Sequence, residues 1–288
     1  LTPDAVRALE DSGYTVIVDP MRTAALPTPF IGPRAAGSIP GFACYRTVDE
    51  TYAAIDTLVA AHPALVQKVD IGDSWLKQQN SAQGDDIFAL VLTNQAIAGP
   101  KPRLFVMAAI HAREYATAES ALRFAEQLVN GYGVDADATW LLDYTEIHIV
   151  TQANPDGRRR AETGLLWRKN VNSSNGCFDP NAIGVDLNRN SSFKWGICTN
   201  QGCSSTNPCS LLYRGAEAAS EPEVQALENY MRAIFPDQRG TGDNDPASPD
   251  TTGVMITVHS YGEWVLYPWG YTPTLAPNEV GLRVFGQK

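Results

Sequence analysis

The sequence predicts an α/β fold with a mixed, mostly parallel central sheet and helices on both faces. Short apolar runs of strand length alternate with helical patterns from residue 42 onward. Three of those strand readings stop at polar residues, His111, Asn154 and His259. In such folds ligands bind outside the carboxyl ends of the strands, so these exits point to one shared site. The length, 288 residues with 44% hydrophobic and 19% charged, suits one large domain of this class or two smaller ones.

Each element has a local reason. Thr2 can cap a helix with Pro3 at its first position; the helix would run to about Ser12 and stop at Gly13. Residues 14–18 then read as a strand. Residues 1–19 are therefore expected to be a small unit of their own, the alternative being the first helix and strand of the main domain. Residues 20–41 carry Pro, Gly and small residues with no usable period, as a linker does. The main domain is expected over residues 42–288.

Within it, residues 48–61 have helical apolar spacing, and 66–71 and 86–93 read as strands. Lys101 and Pro102 open the strand that leads into His111. Residues 116–130 are helical, with Gly131 as the stop. Residues 144–151 alternate as a strand, and 152–216 are polar, with no strong secondary structure predicted. Ser220, Pro222 and Glu223 read as cap, first turn and capping-box partner of another helix. An acidic loop at 237–252 precedes the apolar strand 254–258.

Charge and cysteines restrict the setting. The formal net charge is −10, which argues against nucleic acid and anionic membranes as partners. No apolar run approaches the ~20 residues of a membrane helix. Of five cysteines, Cys177, Cys198, Cys203 and Cys209 fall in one polar region without paired Cys-x-x-Cys spacing. That predicts two disulfides and a secreted or periplasmic protein, with Cys44 left over.

Metal chemistry enters through His111 and Glu114, three residues apart after the apolar run 104–110, and through His259 after the run 254–258. Two strands that each stop at a histidine, with a carboxylate beside the first, assemble a three-ligand zinc site. Three protein ligands leave a fourth position for water, which is the catalytic arrangement. An Asn-Arg pair such as Asn188-Arg189 can hold a carboxylate, the guanidinium fork matching two oxygens; a loop stapled by its own hydrogen bonds is the plainer reading. His148, inside an alternating strand, and His62, at a helix end, read as structural.

Together the segments His111-Ala112-Arg113-Glu114, Asn154-Pro155-Asp156-Gly157, Trp167-Arg168-Lys169-Asn170, Asp186-Leu187-Asn188-Arg189-Asn190, Tyr213-Arg214-Gly215 and His259-Ser260-Tyr261 resemble the zinc metallocarboxypeptidases. The likeness is to the pancreatic carboxypeptidase A and bacterial carboxypeptidase T kind. It runs from about Tyr45 to the end of the chain, and residues 1–19 resemble the tail of the family's activation domain, as in a zymogen.

The resemblance implies one zinc ion on His111, Glu114 and His259. It implies that Arg168 polarises the scissile carbonyl, that Asn188 and Arg189 grip the substrate's terminal carboxylate, that Arg113 is an accessory binding residue, and that Ser260 and Tyr261 line the cleft. The implied substrates are peptides and proteins with a free C-terminal carboxylate, attacked by water activated at the zinc. It also implies a Cys177–Cys209 pair, leaving Cys198 and Cys203 for a second, swappable one.

The family's general base lies on a strand well beyond the third zinc ligand. Only 29 positions follow His259 (288 − 259), and neither Glu263 nor Glu279 matches the base's motif. The expectation is a catalytic domain truncated before its last strands, completed by a second polypeptide or shortened, with a pseudo-enzyme as the competing reading. A non-catalytic module that binds peptide C-termini and a zinc deacylase of N-acyl amino acids are the alternative functions.

Overall fold

The computed structural model describes Arg7 and residues 39–197, 203–242, 244–248 and 250–287. The helix and strand expected within residues 1–19, most of the 20–41 linker and Cys198 lie outside the described residues. Ile39, at the end of the segment read as linker, is buried beside Ala112, Tyr115, Ala161 and Trp167.

Helix α1 (Val48–Ala61) starts at Thr47, whose hydroxyl accepts from the Glu50 amide while the Glu50 carboxylate accepts from the Thr47 amide, a reciprocal capping box. Strands β1 (Val66–Asp73) and β2 (Asp86–Leu92) pair antiparallel, joined through the short helix α2 (Trp75–Gln79). Then come β3 (Arg103–Met107), α3 (Tyr115–Gly131), α4 (Ala136–Tyr144) and β4 (Glu146–Val150). Helix α5 (Pro155–Ala161), a 3-10 turn (Leu187–Arg189), α6 (Pro222–Ile234), β5 (Val254–Thr257) and α7 (Glu279–Gly286) complete the order.

The five described strands form one mixed sheet in the order β1-β2-β4-β3-β5. β1–β2 and β2–β4 are antiparallel, whereas β4–β3 and β3–β5 are parallel. Parallel pairing gathers the carboxyl ends of β3, β4 and β5 at one edge, so the chain exits there with its polar residues together.

Side-chain alternation sends the two faces of the sheet into two cores. Leu90, Leu92, Val106, Ile147 and Ile149 face α1, α3 and α4. Ile87, Ala89, Phe105, Met107 and Val150 face α6. Successive strand residues point to opposite faces, so a strand buried on both sides reads as a continuous apolar run. That is the pattern of 104–107.

The structure corrects several boundaries. Tyr144 closes α4 and does not open a strand. α4 and α5 form where no helix was expected. The N-cap of helix α6 is Glu221 and not Ser220, and it makes no side-chain cap hydrogen bond. The Ser220 hydroxyl turns to Asn190 and to the Glu221 carboxylate instead. Glu223 is buried and accepts from the Trp75 amide at 3.0 Å, so it is a core residue and not a capping-box partner. His148 is buried between Tyr230 and Glu146, consistent with a structural role. The Cys177–Cys209 disulfide is present, Cys203 is disulfide-bonded, and Cys44 is free and exposed. Among the described residues no helix is long and apolar enough to cross a membrane.

Candidate metal centre

β3 ends at Met107, and the chain continues buried through Ala108, Ala109 and Ile110. Ala109 has φ 54°, a left-handed conformation that costs an L-residue about 1–2 kcal/mol. The Ala108 amide still extends the sheet, donating to Val150 at 2.9 Å. One residue later the chain swings off the sheet and delivers His111. Glu114 is the N-cap of α3, but its side chain makes no capping bond. Its carboxylate is turned to the histidines.

On the neighbouring strand the Val258 amide donates to the Met107 carbonyl at 2.8 Å, prolonging the β3–β5 ladder by one residue. His259 therefore leaves the sheet beside the point where the His111 segment leaves it. His111 Nδ1 lies 2.8 Å from Glu114 Oε1, His259 Nδ1 lies 3.0 Å from Glu114 Oε2, and the two Nδ1 atoms are 3.2 Å apart. One ligand atom from each of the three lies within 4.8 Å of the others. Two nitrogens at ~2.0–2.1 Å on a tetrahedral zinc ion would stand about 3.3 Å apart, so the donor set and its spacing fit zinc.

A second layer holds His111. Its Nε2 is buried and lies 3.3 Å from Asp186 Oδ1, although the angle falls short of a hydrogen bond. A carboxylate behind a metal-binding imidazole fixes its tautomer and orientation. Asp186 Oδ2 also accepts from Arg168 Nε at 3.1 Å and Nη2 at 2.9 Å. Burial alone would raise both acids. Hydrogen bonds from His111 and His259 outweigh it at Glu114, and contact with His111 and the Arg168 charge outweigh it at Asp186, so each is held at about 2.

Backbone bonds lock the arginine segment onto the metal loop. The Ala112 amide donates to the Arg168 carbonyl at 3.1 Å. Asn154 Nδ2 donates to the carbonyls of Ile110 and Lys169, while its Oδ1 caps α5 by accepting from the Gly157 amide. A β-carbon on Gly157 would stand 2.4 Å from the Lys169 carbonyl oxygen, so only glycine fits there. Lys169 is buried with its ammonium donating to the carbonyls of Ala182, Pro208 and Ser210. It ties the disulfide-bearing loop beneath Arg168.

The other expected site residues are placed unevenly. The Asn188 amide donates to Asp186 Oδ1 at 3.1 Å, and its side chain is exposed. Half-buried Arg189 donates through Nη1 to the Asn188 carbonyl at 2.8 Å and through Nε to Cys203. Arg113 is half-buried, with no hydrogen bond or ion pair among the described residues. The Ser260 amide donates to Glu114 Oε2 at 3.2 Å, whereas Tyr261 is 82% exposed. Asp186 is the residue that sequence reasoning quoted without giving it a role. Its signal was its place between Val185 and Leu187, both buried, which marks an acid enclosed by apolar neighbours.

A family model described as "Zinc carboxypeptidase" matches residues 51–288. Carboxypeptidase A1 of Rattus norvegicus is 33% identical over 242 residues, covering 84% of this chain and 50% of the relative. Carboxypeptidase A2 of Mus musculus is 32% identical over 239 residues, covering 83% of this chain and 50% of the relative. The crystal structure of the carboxypeptidase A from Helicoverpa armigera superposes with TM-score 0.68 at 26% identity, covering 84% of this chain and 52% of that one. The chain thus spans about half the length of the curated relatives it matches.

Proposed function

This chain belongs to the zinc carboxypeptidase family, and from that premise we propose that it uses one zinc ion to hydrolyse the C-terminal peptide bond of peptides and proteins. The observation that carries the reading is the convergence of His111, Glu114 and His259 on one point, next to a cation whose orientation is fixed. Zinc held by those donors would supply Lewis-acid polarisation of a carbonyl and acidify a water to a pKa of roughly 7.

The chain's own residues supply a fixed cation and a grip on the substrate's carboxylate. Asp186 holds Arg168 through Nε and Nη2, leaving Nη1 to meet charge developing on the scissile carbonyl oxygen. A preorganised donor of that kind contributes on the order of 3 kcal/mol to the transition state. Arg189, with its backbone pinned through the Asp186 carbonyl at 2.8 Å, grips the terminal carboxylate with help from Asn188. Arg113, Ser260 and Tyr261 contact the substrate further along the cleft. A secreted setting accords with the Cys177–Cys209 disulfide.

Hydrolysis of blocked dipeptides with free C-termini, abolished by phenanthroline and restored by zinc, is the expected result. Arg189→Ala should weaken binding of free-carboxylate peptides far more than of their amidated counterparts. Activity that persists without metal, or equal losses for both peptides, sinks the reading. One observation favours a second reading, capture of peptide C-termini without turnover. The two described carboxylates at the triad are already engaged, Glu114 by the histidines and Asp186 by Arg168. Zinc-dependent affinity for free carboxylates with no product release would select it.

A further inference from the structure

We infer that Thr117 is a positioning residue for the metal ligands, its buried hydroxyl bridging the strained turn before His111 to the carbonyl of Glu114. The inference rests on the zinc reading of the triad. Thr117 lies in the first turn of α3 and is 2% exposed. Its Oγ1 accepts from the Ala109 amide at 3.0 Å and donates to the Glu114 carbonyl at 2.8 Å.

The donating half alone would be ordinary, since threonine in a helix commonly bonds a carbonyl three or four residues back. The accepting half is what matters. Ala108 donates the last ladder hydrogen bond of this segment, to Val150, and the next amide, at Ala109, finds its acceptor in Thr117 and not on a neighbouring strand. A buried amide without an acceptor costs about 1–3 kcal/mol, so the turn depends on an acceptor being in place. Thr117 provides it from outside the turn. The hydroxyl therefore fixes the chain two residues before one ligand and joins the Thr117 amide, at 3.2 Å, on the carbonyl of the other. Residues 110–113, with His111 among them, are held at both ends.

Zinc affinity then depends on this hydroxyl as well as on the three ligands. The test compares Thr117→Val, which keeps the shape and loses both bonds, with Thr117→Ser, which keeps both. Zinc affinity is read by competition with a chromophoric chelator, and the thermal midpoint is read on the metal-free proteins.

Thr117→Val should weaken zinc binding about 10–100-fold, the range for partners one shell out from a metal, and Thr117→Ser should stay within about threefold of wild type. A purely structural threonine would lower the metal-free midpoint in Thr117→Val and leave zinc affinity untouched, which overturns the inference. Should the valine variant fail to fold, Thr117→Ala leaves room for a water at the Ala109 amide. Loss of zinc affinity there supports the inference, and wild-type affinity overturns it. Absence of zinc binding in the wild-type protein overturns the zinc reading and this inference together, whereas wild-type-like affinity in Thr117→Val overturns this inference alone.

Discussion

His111 and His259 face each other with their Nδ1 atoms 3.2 Å apart, yet their surroundings differ sharply. His111 is 4% exposed, follows a buried strand, and has the fully buried Asp186 behind its Nε2. The His259 side chain is 32% exposed and follows β5, whose four residues are all exposed. Among the described residues, its Nε2 meets the Thr257 hydroxyl alone, at 3.3 Å. The first ligand is set by an enclosed polar network. The third is set by strand register, through the β3–β5 ladder and the Val258 amide. A single metal site here draws its precision from two different sources, and each can be perturbed without touching a ligand.

The largest expected effect comes from breaking the enclosed side. In Asp186→Asn the charge facing Arg168 is lost, and the Arg168 side chain is mostly buried. Removing one partner of a buried pair costs about 3–5 kcal/mol, and residual solvent at Arg168 places this case near the lower end. Urea unfolding of the metal-free protein should show that loss, and zinc affinity should fall about 10–100-fold with it. Unchanged stability would mean that the Asp186 network is not what holds the His111 side.

The next effect is in pH and belongs to the same side. Asn170 Nδ2 donates to Glu221 and to Glu223, at 2.7 and 3.2 Å. Burial first, then the Glu221 charge, pushes Glu223 up from 4.5 to about 8. Because the folded-state value is the higher one, the folded protein holds this proton more tightly. The stability it brings is fully present below about 4.5 and is lost as pH rises through about 8. Unfolding free energy should fall across that window with a slope of at most about 1.4 kcal/mol per pH unit. Glu223→Gln should flatten the profile there. A slope that survives the substitution would assign the effect to another group.

The same contrast explains what the sequence could and could not reveal. Strand exits were legible because 104–110 and 254–258 are apolar runs that stop at histidine; burial on both faces accounts for the first, whereas β5 keeps the apolar pattern although its four residues are exposed. His111, Glu114 and His259 were found this way. α5 was missed because Pro155-Asp156-Gly157 carries turn chemistry. Its helix is imposed by the Asn154 cap and by packing against the Lys169 carbonyl. α4 was missed because Trp140 and Tyr144 are exposed, which blurs the apolar stripe of an amphipathic helix. Asp186 reads as an ordinary polar residue of a loop, Glu223 as a capping-box partner and Thr117 as an ordinary polar residue of a helix start. Their importance comes from long-range partners, at His111, Trp75 and Ala109, that no local pattern records.

The smallest effect tests the open side. If register and not an outer partner holds His259, then Thr257→Val should leave zinc affinity within about threefold of wild type, below the 10–100-fold typical of outer-shell partners. Valine is a good strand former, so β5 keeps its pairing with β3 and only the hydroxyl is lost. Competition titration beside Asp186→Asn gives the comparison directly, since both substitutions act behind the Nε2 of a histidine. Equal losses in the two variants would show that His259 depends on its hydroxyl neighbour as much as His111 depends on its carboxylate. A near-silent Thr257→Val would instead place the precision of the third ligand in the hydrogen bonds of the β3–β5 ladder, where Leu104 to Met107 pair with Val254 to Thr257.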